Sequence, residues 1–352
     1  HYVAGGRIRE ILTLYLQEHP GLVDRCCSSL GSDVAPSDLF PPAHIVQLRS
    51  DLLNLIGSAQ GLPTVHGSPP PIKGLQGHLL HQWASWASDP AASAAHWIRD
   101  GAPAGVTVDF KLDGILLPVE NEEPLGIDQL VCDSDSFTNY SGVEDDPEAL
   151  EIIQGYIRNG WLAAYDNYDD LAADVGGSPI LNKFACIKKT KADGSIKRRI
   201  IMDSKKSNVT EASRKSYRAV LPRATDLVTD ILSLQATASA PSEIEAFVCD
   251  AEDAFWQIPL HASERRFYCA ILRHRGGRTQ YLSYNRTAQG SRGAPLAWTI
   301  IFGLVCRCCL GTLHVPENPG TQRMQVYVDD PAVTLAGPRE KRLLSLNWLL
   351  LL

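Results

Sequence analysis

Two acidic sites 79 positions apart constrain this 352-residue chain more than any other feature. One is Tyr327-Val-Asp-Asp330; the other is Asp250, which opens Asp250-Ala-Glu-Asp-Ala-Phe-Trp-Gln-Ile-Pro259. Each follows a short apolar, strand-like stretch, Met324-Gln-Val-Tyr327 and Ala246-Phe-Val-Cys249. Strand ends lying side by side bring the carboxylates together, and like charges gathered in an apolar sheet resist ionisation. A hard divalent cation, which takes oxygen ligands, removes that conflict. Two such ions can clamp the attacking and leaving oxygens of a phosphoryl transfer.

The net charge of -7 argues at first against a polyanionic partner, but the distribution of charge points the other way. Between Lys183 and Arg223 stand thirteen Lys or Arg and three acids; between Arg265 and Arg292 stand seven Arg and no acid. Asp113 to Glu151 carries twelve acids and no Lys or Arg. Basic stretches neutralise phosphates and an acidic one repels them. Of the nine cysteines, Cys306, Cys308 and Cys309 lie together in an apolar run. Buried reduced thiols fit that placement better than zinc ligands or disulfides. No signal peptide or spanning segment stands out, so no membrane partner is expected and the chain is expected to be intracellular.

Apolar spacing predicts helices through residues 1–60. Prolines at 63 and 69–71 mark a linker near 61–72. A helix-like stretch over 75–100 carries Trp83, Trp86 and Trp97, which fit a packed face better than a base-stacking platform. The helical N-terminal region thus runs over 1–112, with no recognisable chemistry. An acidic linker over 113–146 is expected to be loosely ordered. Asp146 supplies an N-cap and Pro147 a first-turn residue for a helix running towards Tyr165. Two strands follow, 180–189 and 195–203, joined near Asp193-Gly194. A helix over 222–234, strands around 246–250, 266–272 and 279–284, and a helix over 295–310 come next. A strand–turn–strand over 324–336 then carries the paired aspartates at its tip. Antiparallel strands with helices on one face make an α+β fold.

Four blocks stand in one order: Lys188 to Asn208, the Asp250 block, Gln289-Gly-Ser-Arg-Gly-Ala-Pro295, and Tyr327-Val-Asp-Asp330. A lone Tyr-x-Asp-Asp occurs by chance in unrelated chains; four such blocks in sequence do not. From about Lys183 to about Leu346 the chain resembles the fingers and palm of reverse transcriptases, the RNA-directed DNA polymerases of retroelements. The resemblance implies a right-hand polymerase palm plus fingers over 147–352, lacking a thumb. It implies two magnesium ions, or manganese in their place, held by Asp250, Asp329 and Asp330. It also implies deoxynucleoside triphosphates as substrates and an RNA or DNA template with a primer as partner. Protein partners are not indicated.

The roles follow position by position. Lys188 and Arg199 match residues that grip the triphosphate, and Lys189 and Lys191 compete with Lys188 for that assignment. Asp253 and Ala254 match backbone that approaches the triphosphate, and Phe255 matches an aromatic gate that excludes a 2′-hydroxyl. Gln289 and Gly290 match the block beside the incoming base and sugar. Asn208, Arg292 and Tyr327 fall where nucleic acid passes. Pro331 departs from the pattern: lacking an N–H, it is expected at a turn or an unpaired edge. The chain also stops before the family's downstream lysine block, primer grip and thumb, and position 1 is His, so it is expected to be a fragment. Two rivals are a non-catalytic nucleic-acid-binding remnant and an RNA-templated RNA polymerase. Phe255 argues against the second, because such enzymes usually carry a smaller or polar selector there.

Overall fold

The computed structural model describes residues 1–29, 40–59, 74–111, 114–120, 123–131, 137–214, 216–237, 243–274, 276–287, 289–315 and 321–352. Its strands in chain order are β1 (Leu117–Pro118), β2 (Leu162–Tyr165), β3 (Lys183–Thr190), β4 (Ile196–Asp203), β5 (Tyr217–Arg218), β6 (Ile244–Val248), β7 (Cys269–Arg273), β8 (Thr279–Tyr284), β9 (Gln322–Tyr327) and β10 (Asp330–Ala336). The fold is mixed α and β, with small antiparallel sheets. Two units divide the chain: residues 1–95, 220–252 and 300–352 in one, and 96–219 with 253–299 in the other.

In the first unit the apolar spacing of the N-terminal sequence forms helices Tyr2–Glu18, Gly21–Ser29 and Pro42–Ala59. Ile8, Leu12 and Leu16 line one buried face; Leu48, Leu52 and Ile56 line another, each set at the four-residue spacing that stacks side chains on one side of a helix. The expected linker near 61–72 lies outside the described residues. The helix-like stretch over 75–100 breaks after Gly77–Trp86, because Ser88 takes φ +53° and Pro90 follows it. Asp89 then turns the chain, accepting from the Ala91 N–H at 2.8 Å and from the Arg307 guanidinium at 2.7 and 3.0 Å. Trp83 is buried, in keeping with a packing role.

The sheet of this unit has the order β6-β10-β9. The Ala224–Thr237 helix packs against all three strands, and its Asp230 accepts from Gln325 Nε2 at 2.7 Å.

The second unit contains the sheet β2-β8-β7, the ribbon β3-β4 and the short pair β1-β5. Its core gathers Phe184, Ile200, Met202, Trp256, Phe267, Tyr268, Leu272, Leu282 and Tyr284. Asp146 caps the Pro147–Arg158 helix by accepting from the Glu148 N–H. That helix stops seven residues short of Tyr165. Gly160 turns at φ +69°, and Leu162–Tyr165 pairs with β8 as a strand instead. The acidic stretch is not loose where it nears the helix. Val143 is fully buried, and Asn139 Oδ1 accepts from the Phe184 N–H at 2.9 Å.

The Ala294–Leu313 helix is the one helix among the described residues long and apolar enough to cross a membrane, but 67% of its apolar window is buried inside the protein. Cys306, Cys308 and Cys309 on it are buried free thiols, and burial pushes the Cys309 thiol up to about 12.

Candidate carboxylate site and nucleotide-binding residues

The proposed ligands meet because two strands share a register. β6 pairs antiparallel with β10, with Val248 opposite Ala332. The ladder continues beyond β6: the Cys249 N–H donates to the Pro331 carbonyl and the Ala251 N–H to the Asp329 carbonyl, both at 3.1 Å. Carried two residues on, the register sets Asp250 across from Asp330. Tyr327 opposes Asp330 in the β9–β10 hairpin, so Val328 and Asp329 are its two turn residues. Val328 sits at φ +58°, a region a β-branched side chain rarely enters. Such strain persists only where surrounding structure enforces it, and it clusters at functional sites.

The electrostatics record the crowding. Burial raises the Asp330 carboxyl above its ordinary value, and the charges of Asp329 and Asp250 raise it further. A hydrogen bond shared with Asp250 also favours the protonated form of Asp330. Three oxygen donors set against one another suit a hard divalent cation in kind. Among the described residues, however, no three His, Cys, Asp or Glu side chains converge tightly enough to hold an ion.

Pro331 is neither at a turn nor on an edge. It is the second residue of β10, the central strand of its sheet, and faces Val326 of β9. Its ring replaces a donor that would point past the end of β6, towards Cys249. The proline gives up that one donor, while its carbonyl still accepts from the Cys249 N–H and the pairing runs on to Ala251 and Asp329.

The remaining candidates belong to the second unit. Asp253, at φ +53°, starts a 3-10 turn over Ala254–Gln257. Burial, then the charge of Asp253, pushes the Tyr156 phenol up to about 12. Ala254 is buried and Phe255 only half-buried. The core aromatic of the block is Trp256, stacked on Trp161 at 5.0 Å between ring centroids and on Tyr284 at 5.6 Å. Thr287 fixes the same turn, its hydroxyl donating to the Phe255 carbonyl at 2.6 Å and its N–H to Ile258 at 2.9 Å. Sequence reading missed Trp161 and Thr287, since neither lies in a recognisable block.

Gln289 and Gly290 pack against the end of β4, where the Gln289 carbonyl accepts from the Met202 N–H at 3.0 Å. Gly290 takes φ +106°, and a Cβ there would collide with the Met202 carbonyl, so only glycine fits. Arg292 donates to the Thr210 and Ser213 carbonyls, both at 3.2 Å, and Asn208 Nδ2 to the Gln129 carbonyl at 3.1 Å. Both therefore brace loops. Tyr327, in the first unit, is 55% exposed.

The structure does not bring Lys188 and Arg199 together. Lys188 opposes Arg198, whereas Arg199 opposes Ile187, so the two expected cations point to opposite faces of the β3-β4 ribbon. Lys188 and Arg198 both pair with Asp146, at 2.7 and 2.9 Å, and together hold its carboxyl well below the usual range. Lys189, Lys197 and Arg199 share the other face, exposed, and no ion pair engages them among the described residues. Strand alternation carried the signal, but the length of the five-residue loop from Lys191 to Ser195 was needed to read it.

Comparison with known proteins finds no matching family model and no matching curated protein.

Proposed function

We propose that the chain is the fingers-and-palm portion of an RNA-directed DNA polymerase, joining deoxynucleotides to a primer 3′-hydroxyl. One observation carries this reading: carboxylates from two segments 79 positions apart in sequence share one sheet register, beside a strained turn. Asp250, Asp329 and Asp330 would hold two magnesium or manganese ions, which when bound lower the pKa of the attacking hydroxyl and offset charge on pyrophosphate. The rest is positioning by the chain's own groups. Arg199, with Lys189 and Lys197 on its face, offers phosphate donors, and the planar guanidinium suits bidentate contact. Phe255 keeps its ring half-exposed while Trp256 and Thr287 anchor its backbone, as a rigid selector against a 2′-hydroxyl requires. Gly290 admits close backbone approach.

A second reading, a nucleic-acid-binding remnant without catalysis, is favoured by the loose convergence of the carboxylates. One experiment separates the two: single-nucleotide addition to a primer–template, with Mn2+ binding measured on the same samples. The parent should bind Mn2+ and extend the primer. Asp250→Asn and Asp329→Asn should each lose both, extension falling about a thousandfold, or about 4 kcal/mol. Salt-sensitive nucleic-acid binding with neither Mn2+ binding nor extension in the parent would leave only the remnant.

A further inference from the structure

A cluster of aromatic and imidazole rings in the first unit takes no part in the carboxylate corner. Where the Tyr2–Glu18 helix ends and the Pro42–Ala59 helix begins, His19 and His44 meet with ring centroids 4.5 Å apart. Tyr15 orients both. His19 Nδ1 lies 2.9 Å from the Tyr15 carbonyl, which can only accept, so His19 carries its proton on Nδ1 and keeps a lone pair on Nε2. His44 Nδ1 lies 3.1 Å from the Tyr15 hydroxyl, which can accept that ring's proton in turn. The Tyr15 ring also stacks on His19 at 4.4 Å and meets His44 edge-on at 6.0 Å. Neither histidine is buried, so solvent reaches the pair.

We propose that His19 and His44 form a two-imidazole site for a borderline divalent ion of the Zn2+ or Ni2+ class, bound through the two Nε2 atoms. The pattern is that of metal-binding histidine, in which the second ring nitrogen donates to a carbonyl or another oxygen and so fixes tautomer and orientation. Imidazole selects such ions over magnesium, which wants oxygen ligands. Water completes the coordination, and the ion staples one helix end to the start of the other. Arg25, whose charge reaches Tyr15, is exposed and weakly opposes a cation; solvent screens it.

The probe is Ni2+ alone, measured by equilibrium dialysis on the full 352-residue chain. His19→Asn and His44→Gln should each weaken binding at least about tenfold, while His314→Gln and excess Mg2+ leave it unchanged. Nitrogen NMR of the metal-free chain should show His19 protonated at Nδ1. Unaltered Ni2+ affinity in a folded His19→Asn or His44→Gln variant overturns the site, as does a His19 protonated at Nε2 alone. Should either variant lose its far-UV circular dichroism, Tyr15→Phe decides instead: it keeps the ring but frees His44, and a several-fold loss is expected. No loss there would overturn the proposal. None of these readouts depends on polymerase activity.

Discussion

The carboxylate corner of the first unit and the Asp253–Gln257 turn of the second are built on opposite principles. In the corner, Val328 is strained, Asp330 is pressed towards its neutral form by burial and by its neighbours, and Asp250 is exposed. No ion pair among the described residues relieves that conflict. The turn also starts from a left-handed residue, Asp253, but a stack of Trp161, Trp256 and Tyr284 and two bonds from Thr287 hold it. The corner keeps its charges unneutralised. A site that must hold a shape is over-determined by packing.

The largest expected effect breaks the rigid side of this contrast. Trp256→Ala removes a 3% exposed ring from the centre of the second unit and should cost about 3–5 kcal/mol. Asp250→Asn, at an exposed position, should shift stability by no more than about 0.5 kcal/mol. Urea unfolding of both variants followed by circular dichroism makes the comparison. Equal losses would mean that the two sites are not built differently.

A smaller effect sharpens the charged side. The carboxyl of Asp330 is raised in the folded chain, so its protonation favours folding. That contribution is fully present below the ordinary aspartate value of about 3.9 and is lost as pH rises through the raised one. At neutral pH the folded chain therefore carries a penalty that Asp330→Asn removes. In chelator the variant should be more stable than the parent at about pH 7. The gap should shrink as the pH falls below about 4. Magnesium should narrow it from the other side, by stabilising the parent alone. Thermal melts at the two pH values, with and without magnesium, measure all three differences. A variant less stable than the parent at neutral pH in chelator contradicts the conflict inferred at the corner.

How much of this was legible depended on whether a feature is local. Asp250 and the Asp329–Asp330 pair could be placed at strand ends because the apolar runs before them are short and terminate in charge. The cap at Asp146 and the strands of the basic ribbon were local too, and they formed as expected. Val328 was not legible, since a β-branched residue prefers a strand and only the fixed register of β9 and β10 forces it into a turn. The helix expected to reach Tyr165 failed for a related reason. Leu162–Tyr165 is apolar enough to continue a helix, and only pairing with β8, more than a hundred residues later, makes it a strand. Pro331 misled in the other direction, because a proline gives up only its donor: its carbonyl still accepts from the Cys249 N–H, and the ladder runs on to Ala251 and Asp329.

The finest comparison lies within the second unit, between the two faces of the β3-β4 ribbon. Lys188 and Arg198 are tied to Asp146, and Arg198 also to Glu148, so that face presents little net charge to a phosphate. Lys189, Lys197 and Arg199 present three cations on the other. Each phosphate contact made by such a group releases condensed counterions and steepens the salt dependence of binding by about 0.7 for a single strand or about 0.9 for a duplex. Replacing Lys189, Lys197 or Arg199 with Gln should therefore flatten the logarithmic salt slope by about that much per residue. Lys188→Gln should leave it unchanged, because that ammonium already has its carboxylate. Filter binding of a primer–template duplex across about 50–200 mM salt gives the slopes directly. If Lys188→Gln flattens the slope as much as Arg199→Gln does, the ion pair with Asp146 opens when nucleic acid arrives, and both faces of the ribbon take part.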